Sequence, residues 1–175
     1  MADLRIPNFE SCLRILERTP DILRDLLEMA TAEQLDWRPN PERWSISMVL
    51  AHLAEVEVKG FRERFEKMRH SDSPALAGYD QWELFRDRTT FNGQVEMARF
   101  AEHRTITLAM LRGMPESAGA RTGQHEEFGL ITVAQLVNEF AFHDLGHIRQ
   151  IMELYRSHVF YPEMGVYQGY YKIHP

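Results

Sequence analysis

Apolar side chains recur three or four residues apart along four long stretches of this chain, and β-branched alternation bounded by Asn-Gly or Asp-Gly turns is missing. The first stretch runs from about Phe9 to Ala30 through Leu13, Leu16, Leu23, Leu26 and Leu27. Thr19-Pro20-Asp21 within it has the form of a helix start, so a kink or a restart is expected at Pro20. Cys12 reads as a small apolar filler on this stripe. Residues 31–45 break the pattern with Pro39 and Pro41, and Trp37 and Trp44 read as packing anchors over helix ends. Ser45 then caps a second helix reaching about Arg69, with Trp44 and Val49 as its hydrophobic staple.

A short connecting helix is expected within Tyr79 to Arg88. The third long helix spans about Gln94 to Arg112 and stops at Gly113-Met114-Pro115. The fourth opens on a capping box, Thr132 with Gln135, and extends to about Ser157. Residues 159–175, with Tyr161, Tyr167, Tyr170 and Tyr171, are expected to lie back on the bundle. These elements predict an all-α four-helix bundle with a short extra helix in the 70–92 connection, forming one domain over residues 1–175.

Composition narrows the function. The formal net charge of −6 offers no basic face to meet phosphate, so no nucleic-acid partner is expected. A lone cysteine cannot bridge internally, which suits a reducing cytoplasm. Residues 1–7 carry no signal-like apolar run and no membrane-length segment follows, so no membrane partner is expected either.

Histidines supply the chemistry. On the fourth helix His143, at about 280° from Val133, and His147, at about 320°, share the inward stripe of Leu136, Phe140 and Ile151, one turn apart. That spacing lets two imidazoles face one metal ion. Eight histidines in 175 residues make such a spacing common by chance, so orientation is the stronger signal. Two imidazoles and Asp144 on an inward stripe are costly to bury without partners. From the residues alone, a metal or catalytic role and a satisfied core pair both remain open.

His52 stands at the edge of the second helix's stripe. If that edge faces His143 and His147, three imidazoles converge and leave a position for water or substrate. Asp144 is the candidate catalytic residue. It is expected either to pair with Arg104, which lies in the third helix's stripe, or to orient a ligand histidine. His-Asp-x-x-His is also a shortened form of the metalloprotease helix motif, with the acid about one methylene too short to polarise water. Most of His70, His103, His125, His158 and His174 are expected in solvent, with His125 near enough to reach a bundle mouth.

Trp37-Arg38-Pro39, then Trp44-Ser45-Ile46 with His52 seven residues after the serine, and His143-Asp144-Leu145-Gly146-His147 with Gln150, follow one another in this order. Together they resemble the DinB/YfiT-like superfamily over nearly the whole chain. The resemblance implies a four-helix bundle holding a divalent metal through His52, His143 and His147. Zinc or nickel leads as the expected ion, and iron or copper also suits imidazole. Members with assigned chemistry include S-transferases using bacillithiol or similar low-molecular-weight thiols and a mycothiol-dependent isomerase, and the family often forms homodimers. The implied activity is metal activation of a thiol or water toward a small-molecule substrate. Thiol S-transfer leads, with metal-dependent hydrolysis and a non-catalytic metal-binding or interaction module as the alternatives.

Overall fold

The computed structural model describes residues 6–175. Helix α1 (Phe9–Glu28) is followed by α2 (Ala32–Asp36), then α3 (Ile46–Val56), a π-helical turn (Glu57–Arg62) and α4 (Glu63–His70) in one continuous run. Strand β1 (Ala75–Leu76), α5 (Glu83–Asp87), α6 (Gly93–Arg112), a 3₁₀ turn (Glu116–Ala120), β2 (Thr122–His125), β3 (Gly129–Thr132), α7 (Val133–Val159) and a 3₁₀ segment (Tyr161–Gly169) complete the chain. The four long rods are α1, the α3–π–α4 run, α6 and α7, and they form the expected four-helix bundle.

Local signals account for most of the ends. Ser45 accepts from the Met48 amide, Asn92 from those of Gln94 and Val95, and Thr132 and Gln135 close a capping box. A second box, Thr31 with Gln34, starts α2, a helix too short for periodicity to reveal. The expected restart at Pro20 does not occur, for α1 is one helix from Phe9 to Glu28 with Pro20 inside it. Thr19 is no cap; its hydroxyl donates back to the Ile15 carbonyl at 2.9 Å. Proline has no N–H for the Leu16 carbonyl, and Arg104 of α6 supplies the missing donor at 2.8 Å. A distant side chain therefore carries α1 through its proline.

The bundle also carries a small sheet that the sequence does not signal. Strands β1, β2 and β3 form it, with β1 parallel to β2 and β2 antiparallel to β3. Gly129, at φ 72°, provides the left-handed residue that closes the β2–β3 hairpin. Gly123 and His125 face inward from β2. Gly123 is required there, because a Cβ would come within 2.5 Å of Leu76 Cδ1 and 3.1 Å of Met68 Cγ. Strands this short carry too few alternations to be read from composition.

The chain end returns as expected, with the Arg156 guanidinium donating to the Lys172 carbonyl at 3.1 Å and the His174 amide to Glu153 at 2.8 Å. Its aromatic side chains do not follow, for Tyr167 and Tyr170 stay exposed. The core has two apolar clusters, one around Leu16, Phe61, Phe65 and Phe140, the other around Leu23, Leu50, Leu53 and Phe100. Between them, stacked against Phe100 at 4.7 Å and Phe140 at 4.8 Å, lies the Arg104 guanidinium.

Candidate metal site

Three of the four rods meet at the polar layer that divides the core. Arg104 of α6 donates to both oxygens of Asp144 on α7, at 2.6 and 3.0 Å, as the sequence predicts for this pair. It also holds Glu57, at 2.9 to 3.1 Å, which sequence reasoning misses. On a regular helix Glu57 lies just outside the inward stripe, yet at the first residue of the π turn it is fully buried against Arg104. All three side chains are essentially inaccessible. Burial works against the charge on Arg104, yet the two carboxylates outweigh it and hold the guanidinium protonated. Burial pushes the Glu57 carboxyl up, and Arg104 opposes it. Both Asp144 oxygens are bonded to Arg104 rather than to a histidine, so the alternative in which Asp144 orients an imidazole is not what this arrangement contains.

One layer further out, His52 of α3 and His143 and His147 of α7 come together. Their ligand atoms lie within 4.8 Å of one another, a group able to hold a metal ion. His143 Nε2 lies 3.3 Å from His52 Nε2 and 3.2 Å from His147 Nε2. Two nitrogens on one tetrahedral ion, each about 2.0–2.1 Å from it, sit about 3.3 Å apart. Hydrogen bonding alone cannot satisfy the set. His147 Nδ1 donates to Gln150 Oε1 at 2.8 Å, so its Nε2 carries a bare lone pair. His143 Nε2 bears at most one proton in the neutral ring and faces both the His147 lone pair and the Nε2 of His52, so one of the three nitrogens is left without a partner. Convergent lone pairs of this kind fit a cation.

Burial, reinforced by the neighbouring imidazoles, pushes His52 down to about 2. Burial likewise pushes His143 down to about 3, and it lowers His147 against the pull of Gln150 and Asp144. The rings are held by packing: Trp44 lies 4.9 Å from His52, and Phe61 meets His143 edge-on at 5.4 Å. Trp44 is therefore a packing anchor as expected, and what it anchors is the site.

Acid should destabilise the ion-free protein. Below about pH 6.5 the unfolded chain protonates its histidines, whereas burial in the folded chain holds His52 and His143 neutral and lowers the proton affinity of His103, His125 and His147. Glu57 and Glu139, raised by burial, act in the opposite sense, but five depressed imidazoles outnumber two raised carboxyls. The unfolded state then binds more protons, and each uncompensated proton removes about 1.4 kcal/mol of stability per pH unit of acidification. Urea midpoints measured at falling pH check this; a midpoint that rises on acidification contradicts it.

Two clefts flank the histidines and share Glu139, His143 and His147. One, of about 350 Å³, adds His52, Arg64, Tyr79 and His125. The other, of about 670 Å³, adds Arg43, Arg149 and His174. Burial pushes the Glu139 carboxyl up to about 7, with Arg64 opposing the shift. Sequence reasoning does not single out Glu139, although it precedes His143 by the same four-residue step that separates the two histidines. The expectation of solvated histidines fails for three of the five: His125 is buried at the end of β2, His103 is half-buried with its Nδ1 inaccessible, and His158 stacks on Trp37 at 4.5 Å.

Four long helices with three imidazoles turned onto one point and open clefts on either side define a class of small helical bundles built around a possible ion site. Residues 15–151 match the family model of the DinB superfamily, and the chain belongs to that family. It is 26% identical over 147 residues to "Putative metal-dependent hydrolase YfiT" of Bacillus subtilis, covering 82% of each chain. To "Putative metal-dependent hydrolase OB0782" of Oceanobacillus iheyensis it is 24% identical over 142 residues, covering 79% of this chain and 81% of that one. The solved structure of the Bacillus subtilis protein, described as a probable metal-dependent hydrolase with an unusual four-helix bundle topology, superposes with a TM-score of 0.75 at 25% identity. That superposition covers 85% of this chain and 86% of the other. Among the described residues, no helix is long and apolar enough to cross a membrane.

Proposed function

We propose that the protein is a metal-dependent hydrolase of small molecules, with His52, His143 and His147 as the ligands of a divalent ion, zinc or nickel before iron or copper. The observation that carries this reading is the convergence of three Nε2 atoms, at 3.2 and 3.3 Å, where two clefts meet. A bound ion supplies Lewis acidity, bringing the pKa of water toward about 7. The chain supplies the rest. Gln150 fixes the tautomer of His147, and Trp44 shields His52 from bulk solvent. Glu139, facing both clefts, accepts the proton that water gives up and returns it to the leaving group. Asp144 and Glu57, bound by Arg104, act as positioning residues that fix α7 and the π turn around the histidines.

Thiol S-transfer is the second reading, and the paired clefts favour it, since two reactants need separate access to one centre. The expected homodimer and cytoplasmic location accompany both readings; the buried free thiol of Cys12 supports the second of these. Zinc and nickel titrated into tag-free protein should each bind saturably. Ion-loaded protein should then cleave members of an ester and amide panel without added thiol. Turnover that needs a low-molecular-weight thiol moves the assignment to transfer, and ion binding without either activity leaves a binding module.

A further inference from the structure

Three residues that line the cleft of about 350 Å³ each carry a buried polar atom with no hydrogen-bond partner among the described residues: Arg64 Nε, Tyr79 Oη and His125 Nε2. They come from three elements, α4, the loop before α5, and β2. All three are donors. The Glu127 amide donates to His125 Nδ1 at 3.1 Å, and an amide can only donate, so the neutral ring carries its proton on Nε2. Burial keeps that ring neutral. Burial also raises the Tyr79 phenol, so it stays protonated and can donate. Arg64 is permanently charged, and one Nη2 proton goes to the Ala77 carbonyl at 2.9 Å, which aims the head group and leaves Nε free.

Buried donors without acceptors are rare and costly, and three in one cleft call for a common acceptor. We propose that this wall binds a carboxylate of the substrate, placed beside the three-histidine site. Charge selects the ligand. The lining sets one guanidinium, Arg64, against the carboxyls of Glu127 and Glu139, so it has no charge to spare for a phosphate dianion, and one carboxylate held by Arg64 and the two neutral donors is the most it accommodates. The Tyr79 ring lies 5.8 Å from that of His52, centroid to centroid, so a molecule held here by its carboxylate reaches the histidines with its neighbouring atoms. The inference rests on the hydrolase reading for what is cleaved, but its binding step is independent of the ion.

N-acetylglycine and its neutral analogue N-acetylglycinamide, titrated into ion-free protein, test that step, with the His125 side-chain ¹H–¹⁵N resonance as the readout. The carboxylate is expected to bind at least tenfold more tightly than the amide and to shift the His125 Nε2 signal. Arg64→Gln should abolish the preference. Tyr79→Phe should reduce it without lowering the melting temperature, because the hydroxyl has no partner in the fold to lose. Inorganic phosphate should compete more weakly than N-acetylglycine. Equal binding of carboxylate and amide, a preference that survives Arg64→Gln, or tighter binding of phosphate each overturns the proposal. Zinc titration of Arg64→Gln should match the wild type, which separates loss of this subsite from failure of the metal site.

Discussion

Arg104→Ala is expected to cost the largest share of stability of any single substitution in this chain. The change leaves Glu57 and Asp144 in a layer that is 1% exposed or less, with no cation to hold them. Removing one member of a buried ion pair costs about 3–5 kcal/mol, a large fraction of the roughly 5–15 kcal/mol that keeps a domain folded. It also removes the donor that satisfies the Leu16 carbonyl at Pro20, so α1 should fray at its middle. For a chain of this size the melting temperature should fall by about 6–20 °C. Thermal and urea unfolding followed by circular dichroism check the size of the loss. Arg104→Met combined with Glu57→Gln and Asp144→Asn should recover most of it, because no unpaired charge then remains buried. A single alanine variant that melts within two or three degrees of the wild type would show that this layer does not govern stability.

His143→Ala should have the largest effect on function. Its Nε2 lies between those of His52 and His147, so its loss leaves two nitrogens without the atom that links them. Ion binding by calorimetry should fall below detection, and ion-dependent turnover should drop by at least about a thousandfold. Gln150→Ala, which frees only the tautomer of His147, should cost about 10–100-fold in ion affinity. The ion-free His143→Ala protein should keep its fold, since the lost ring has an Nδ1 with no partner to miss it. Equal ion affinity in the His143→Ala and wild-type proteins would remove the three-histidine ligand set.

How much of this was legible in the residues follows from the range of each interaction. The caps at Ser45 and Thr132, the stop at Gly113 and the shared inward face of His143 and His147 depend on residues within about two turns. The Arg104–Asp144 pair was legible too, because two charges on inward stripes had few other places to go. Pro20 misled for the opposite reason: its local signal also suits a restart, and the donor that satisfies the freed Leu16 carbonyl comes from Arg104, 88 positions beyond Leu16. Glu57 was hidden because its helical angle falls just outside the stripe, and only its pairing with Arg104 of another helix shows why it is buried.

The sequence by itself determined an acidic, mainly helical chain with a bundle's caps and stripes and two histidines turned inward, because caps and periodicity act between near neighbours. Only the tertiary structure decided that His52 meets those two histidines, that Arg104 holds two acids, and that a short sheet brings His125 into the cleft of Arg64 and Tyr79. Each of these is a contact between distant segments, fixed by how whole helices pack, and no periodicity within one segment encodes the facing edge of another.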